Sequence, residues 1–255
     1  MRLINLLRHP FRVLFRGTTF VFLILIAIGG HLLSIALRER SSPDYLRRSA
    51  WAHRLARRLL RVLFIHPTFH GQAPLAGVLV CNHLSYLDVL VLTAAQPMVF
   101  ISKSEVRGWP LIGWAVSCAG TLFINRRKRS DVQELASAMA GVLEQPGLVL
   151  AFFPEGTSSG GEDVLPFHPS LLEPAVARNW PVTPAGIRYT LREGSVPDEI
   201  AYWRDMTFLP HFLNVLTKRR IEAHVAFGPP LPIDLDRKGL ALTAREAVRR
   251  LTRET

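Results

Sequence analysis

Residues 17 to 37 constrain this chain more than any other stretch. They contain no Asp, Glu, Lys or Arg and include the run FVFLILIAI from Phe20 to Ile28. About 21 such residues are enough for a helix to cross a bilayer core. Their Phe, Val, Leu and Ile side chains favour insertion by roughly −4 to −7 kcal/mol, against small penalties from Gly29, Gly30 and His31. Membrane association follows. A secretory signal is the competing reading, because Arg2, Arg8, Arg12 and Arg16 form a basic leader and Ser34-Ile35-Ala36 resembles a cleavage site. Against it, Arg38, Arg40, Arg47, Arg48, Arg54, Arg57, Arg58 and Arg61 would all have to be exported. The denser positive charge follows the apolar run, which predicts a globular part on the cytoplasmic side.

Ser42-Pro43-Asp44 looks like a helix start, with an N-cap and a proline at the first helical position. The helix would run to about Ile65, with Trp51, Ala52, Leu55, Leu59 and Val62 on one side and Arg47, Arg54, Arg58 and Arg61 on another. Two readings stand: an ordinary amphipathic helix with a solvated face, or a helix lying in an anionic membrane interface. The charge balance favours anionic partners in either case. The net charge is +11, and only four of the 31 basic residues are lysine (Lys103, Lys128, Lys218, Lys238). Arginine's planar guanidinium suits phosphate. Cys81 and Cys118 sit in apolar surroundings without metal-ligand spacing and read as core thiols of a reducing compartment.

Beyond Pro67, short apolar runs alternate with helical patterns. Strands are predicted at Ala76–Val80, Met98–Ser102, Thr121–Asn125, Leu148–Phe153, Val182–Tyr189 and Ile221–Phe227. The clearest helix is SDVQELASAMAGVLEQ, with Ser130 able to cap it and Glu134 in its first turns. This alternation predicts a single α/β domain: a mostly buried mixed sheet flanked by helices, preceded by the membrane helix and the basic amphipathic helix.

Four stretches carry chemistry. CNHLSYLDVLVL places His83 and Asp88 five residues apart, roughly 140° around a continuous helix, so they meet only if a turn separates them. Ser85 to Asp88 has the S-x-x-D form of a capping box, and Asp88 could simply close a helix N-terminus. The same turn lets Asp88 fix the imidazole tautomer while the other ring nitrogen takes a proton from an alcohol. GTLFINR delivers Arg126 at a strand exit, alternatively as part of a solvated run with Arg127, Lys128 and Arg129. FFPEGTSSG leaves a strand into a loop that is either a plain turn or an anion-approaching backbone. WPVTPAGIRYT, with two prolines, reads as an edge or bulged strand.

In this order the four stretches resemble the glycerolipid acyltransferases of the 1-acylglycerol-3-phosphate acyltransferase type. Asn82-His83-Leu84-Ser85-Tyr86-Leu87-Asp88 matches the family's N-H-x-x-x-x-D, Gly120 to Arg126 matches G-x-x-F-I-x-R, and Phe153 to Ser159 matches F-P-E-G-T-x-S. The proline block around Pro181 to Ile187 is the loosest, with Ala185-Gly186 where the family often has a larger apolar residue. The resemblance covers roughly Ala76 to Tyr189. It implies a membrane-anchoring helical region over residues 1–66 and an acyltransferase domain over 67–255. His83 would be general base on the acceptor hydroxyl, with Asp88 orienting it. Arg126 would clamp the acceptor phosphate, Glu155, Gly156 and Thr157 would help to bind the acceptor, and Lys103 is a further phosphate contact. The partners implied are the lipid bilayer, a lysophospholipid acceptor and acyl-CoA or acyl carrier protein as donor. A thioester is already activated, so no metal, cofactor or covalent enzyme intermediate is required.

Lysophosphatidic acid is the default acceptor, giving phosphatidic acid, with another lyso-lipid such as lyso-ornithine lipid as the alternative. Trp203, Phe208, Phe212 and Leu216 would either line an acyl groove or pack the core. Two readings of other classes compete. Gly156 to Gly160 satisfies G-x-S-x-G, so a membrane serine esterase could use Ser158 with Asp198 or Asp205 and His224; it leaves His83 unexplained. An arginine-rich membrane protein could also bind anionic lipid without catalysis. Nucleic acid is not expected, because interleaved base-stacking aromatics and a recognition motif are lacking.

Overall fold

The computed structural model describes residues 9–36, 44–124, 129–232 and 234–254, without the side chains of 129–135. Its elements are α1 (Pro10–Ala36), α2 (Tyr45–Leu63), β1 (Ile65–His70), β2 (Gly77–Cys81), α3 (Leu87–Ala95), β3 (Val99–Lys103), α4 (Ile112–Cys118), β4 (Leu122–Ile124), α5 (Arg129–Leu143), β5 (Val149–Phe152), α6 (Glu173–Ala177), β6 (Val182–Leu191), α7 (Val196–Glu199), α8 (Phe208–Thr217), β7 (Ile221–Phe227) and α9 (Arg237–Glu254). The strands form one sheet in the order β1-β7-β6-β2-β5-β3-β4. Five run parallel, and β7 pairs antiparallel with β6 while taking β1 parallel to itself. The mixed α/β sheet flanked by helices is therefore as expected.

Side-chain alternation sorts the strands into two cores. On one face Leu79, Phe100, Ala151, Ile187 and Val225 pack under α1, α2, α3 and α8. On the other Val80, Ile101, Leu150 and Val182 meet α5, α6 and α9. The first core includes Phe20, Ile24 and Ile28 of α1, so the apolar N-terminal helix lies along the domain, in contact with α2, α4 and α8. A stripe at Arg16, Phe20, Ile24, Ile28 and His31 is buried, whereas Phe11, Leu14, Phe15, Phe22, Leu25, Ile26, Leu32 and Leu33 are exposed.

The structure departs from the sequence reading at four places. The cap of α2 is Asp44, whose carboxylate accepts from the Arg47 backbone N–H; Ser42 and Pro43 lie outside the described residues. That helix stops at Leu63, where Phe64 takes a left-handed conformation (φ 55°) and returns its N–H to the last turn. An unforeseen strand, β1, follows at once; an edge position tolerates its proline and its exposed histidines. The proline strand β6 is central, not an edge. In a strand a residue's N–H and C=O point to the same side, and the Pro184 carbonyl accepts from Gly228, just past β7. Its missing donor therefore faces the end of β7 and takes nothing from the β2 ladder. The side chains of Ser130 and Glu134, expected to open α5, lie outside the described residues.

Gly186 explains why the fourth block carries a small residue. A Cβ there would sit 2.7 Å from the Thr252 nitrogen and 2.9 Å from Leu251, so α9 docks its backbone directly on β6. Gly186→Ala is expected to cost about 1–3 kcal/mol through this overpacking, seen as a lower Tm. Gly141→Ala in α5, where a Cβ meets nothing within 4 Å, is expected to leave Tm unchanged or raise it.

Candidate active site

The parallel strands β2, β3 and β5 all deliver their C-terminal ends to one edge of the sheet, where open α/β sheets bind ligands. The expected residues gather there: His83 after β2, Lys103 at the end of β3 and Phe153 to Ser159 after β5. Arg126, after β4, lies outside the described residues.

The turn between His83 and Asp88 brings them together. His83 Nδ1 lies 2.8 Å from Asp88 Oδ2. That oxygen also accepts the backbone N–H groups of Leu84 (2.7 Å) and Ser85 (2.9 Å), and Oδ1 accepts the Tyr189 hydroxyl at 2.8 Å. Asp88 is completely buried, where a carboxylate is tolerated only if its lone pairs are satisfied. The capping box forms by half: Asp88 reaches the Ser85 N–H, while the buried Ser85 hydroxyl has no partner among the described residues. The ring of His83 stacks on Phe153 with centroids 4.0 Å apart and planes 10° from parallel. Asn82 ties the same turn to β6 through both atoms of its amide, accepting from Ile187 N–H (2.8 Å) and donating to its carbonyl (2.9 Å).

His83 opens onto a cavity of about 320 Å³. Its walls come from several elements: Ile24 of α1, Leu55 of α2, Leu90 of α3, Ala115 of α4, Phe100 of β3 and Phe212 of α8. Gly156, Thr157, Ser158 and Lys103 border it too. Gly156 adopts φ +73°, the conformation the P-E-G turn requires. Of the four groove candidates, Phe208 and Phe212 line the cavity and Leu216 is core. Trp203 packs against Gly160 and donates to the Pro197 carbonyl.

Glu155 does not border the cavity. It is 3% exposed; Oε1 accepts the His83 N–H at 2.9 Å and Oε2 the Leu165 N–H at 3.2 Å. Burial pushes its carboxyl up to about 8, with those two N–H donors and Arg245 opposing and Asp88 reinforcing the shift. Sequence reasoning missed Tyr189, because nothing in spacing joins residues 101 positions apart.

The esterase constellation does not assemble. No helix follows the G-x-S-x-G turn, and the Ser158 hydroxyl donates to the Tyr202 carbonyl. His224 instead contacts the hydroxyls of Thr68 and Thr190 on the neighbouring strands.

A histidine–carboxylate pair at the strand ends, opening on an apolar cavity, can serve acyl transfer as base and chain site. Comparison with known proteins agrees. The model of the family described as Acyltransferase matches residues 66–188. The lyso-ornithine lipid O-acyltransferase of Pseudomonas aeruginosa is 37% identical over 234 residues, 88% of each chain. That of Rhodobacter capsulatus is 39% identical over 68% of this chain and 64% of its own length. A 1-acyl-sn-glycerol-3-phosphate acyltransferase of Neisseria gonorrhoeae is 39% identical over 44% of each chain. The crystal structure of the 1-acyl-sn-glycerophosphate acyltransferase PlsC from Thermotoga maritima has the same fold, with a TM-score of 0.72 over 98% of this chain and 97% of its own at 21% identity. This chain belongs to the acyltransferase family, as the four blocks implied.

Burial of Glu155 has a measurable consequence. Its pKa is raised from 4.5 to about 8, so between those values the native state holds a proton that the unfolded chain has released. The stability this contributes is complete below pH 4.5 and is lost as pH rises to about 8. The stability difference between wild type and Glu155→Gln, from urea unfolding at several pH values, should shift against wild type across that window and level off above it.

Proposed function

We propose that this enzyme moves an acyl chain from an acyl thioester, on coenzyme A or acyl carrier protein, to the free hydroxyl of a lyso-lipid at the membrane surface. The observation that carries this reading is the His83–Asp88 pair at the mouth of the apolar cavity. Asp88 and the two backbone amides fix Nδ1 as the protonated nitrogen, which leaves Nε2 as the base. Nε2 takes the acceptor's hydroxyl proton as that oxygen attacks the thioester carbonyl. The C–S bond then breaks, an ester forms, and the departing sulfur receives the proton. The cavity shelters the acyl chain; Lys103 at its border suits an anionic group of the acceptor, the role expected from sequence for Arg126.

Lyso-ornithine lipid is the acceptor we favour, which reverses the order expected from sequence. Its support is length of match: the Pseudomonas aeruginosa relative matches over 88% of both chains, including segments beyond the four blocks, whereas the Neisseria gonorrhoeae relative matches over 44%. Lysophosphatidic acid stays as the second reading, supported by that shorter match. An apolar N-terminal helix in a family of lipid acyltransferases indicates membrane association. With one stripe of α1 packed on the domain and the rest exposed and apolar, we read the helix as lying within one leaflet, with the catalytic domain on the cytoplasmic side.

The test is acyl transfer by membranes carrying the enzyme, with labelled acyl-CoA or acyl carrier protein offered to both lyso-lipids. Wild type is expected to prefer lyso-ornithine lipid. His83→Ala should lose on the order of 10²- to 10⁴-fold in kcat, and Ser158→Ala should retain transfer. Ester cleavage lost with Ser158, or full transfer without His83, would contradict the mechanism.

A further inference from the structure

The loop after β5 reaches His83 at three separate points. The Phe153 ring covers one face of the imidazole at 4.0 Å. The Glu155 carboxylate accepts the His83 backbone N–H at 2.9 Å, and the Ser159 N–H donates to the His83 carbonyl, also at 2.9 Å. One residue thus has its amide, its carbonyl and its ring held by a single seven-residue block, while Asp88 holds the remaining contact at Nδ1.

Glu155 presents no surface to an acceptor in the cavity. One oxygen is taken by His83, the other by Leu165, and the side chain is buried behind the cavity wall. Leu165 lies at the far side of the same loop, so the carboxylate also closes the loop on itself. A bridge of this kind fixes where the imidazole points. Displacement of a base by about 1 Å can cost on the order of 100-fold in rate.

We infer that the Phe153–Ser159 block is a cradle that positions His83, with Glu155 as its central positioning residue and not an acceptor ligand. Phe153, Gly156, Thr157 and Ser158 border the cavity, so substrate contact falls to them and not to Glu155. The inference rests on the acyl-transfer reading only for what His83 is positioned to do; the cradle itself is a statement about geometry.

The experiment uses full-length enzyme in membranes, as wild type, Glu155→Gln and Phe153→Leu. Two quantities are read: kcat and acceptor KM, and the rate at which diethyl pyrocarbonate labels His83, followed by peptide mass spectrometry. His211, 3% exposed and held between the Tyr86 hydroxyl and the Ala201 carbonyl, reports the integrity of the fold by staying unlabelled. Glu155→Gln is expected to lower kcat by roughly 10- to 100-fold, with acceptor KM little changed and His83 labelled several-fold faster while His211 stays protected. Phe153→Leu should likewise lower kcat and speed His83 labelling, because it removes the stack; since Phe153 also lines the cavity, its KM is not a criterion. A raised acceptor KM with unchanged kcat and unchanged His83 labelling would overturn the inference and make Glu155 an acceptor ligand. If His211 becomes labelled in Glu155→Gln, the fold has opened and Phe153→Leu decides: a lower kcat with faster His83 labelling supports the cradle, and unchanged His83 labelling overturns it. If wild type transfers no acyl group, the labelling rates still decide whether the cradle exists, and the failure then belongs to the proposed reaction alone.

Discussion

The site depends on one buried carboxylate. Asp88 receives the imidazole of His83, two backbone N–H groups from its own turn and the hydroxyl of Tyr189. Each donor comes from a different constraint. The turn supplies the amides because α3 begins right after it, and β6 supplies Tyr189 because it lies beside β2. A carboxylate sealed from water without such donors would cost several kcal/mol. The sheet order and the geometry of the candidate base are therefore one requirement: misplace β6 and both Tyr189 and the Ile187 anchor of Asn82 are lost.

The second dependence links this turn to the membrane helix. The cavity that starts at His83 is closed by α1 and α2, and α1 is held in place by two arginines of its own. Arg12 donates to the Thr217 carbonyl, and Arg16 to those of Leu216 and Lys218, at the C-terminal end of α8. Unsatisfied helix carbonyls are natural partners for guanidinium groups. Arg16 also lies over the Phe64 ring, 4.0 Å from its centroid. Arg12 and Arg16, which read as part of a basic leader in the sequence, thus fasten an apolar helix to the globular domain, leaving its outer face exposed.

Much of this was legible in the sequence because the signals are local. Six strands were placed within two residues, since apolar runs bounded by turn residues mark a buried parallel sheet. Helix geometry gave the condition for His83 and Asp88 to meet, a turn between them, and the structure supplies that turn. What stayed hidden depends on long-range partners. β1 is polar and contains Pro67, and only its pairing with β7 makes it a strand. Pro181 and Pro184 suggested an edge, but Pro181 precedes β6 and the side on which the missing N–H of Pro184 falls is set by the neighbouring strand. Glu155 reads from sequence as part of an anion loop, and its burial against two backbone amides depends on partners that spacing does not reveal. Gly186 looked like a departure from the family pattern and is the seat of α9.

Base catalysis by this site requires His83 and Asp88 to act as one unit. The most direct measurement is a double-mutant cycle on acyl transfer, comparing kcat for His83→Ala, Asp88→Asn and the pair together, with the fold of each variant checked by thermal unfolding. If the carboxylate acts through the imidazole, the double variant should be no slower than His83→Ala alone, because groups that work as a unit are strongly non-additive. Losses that multiply in folded variants would mean that Asp88 serves catalysis by another route, and would contradict the mechanism.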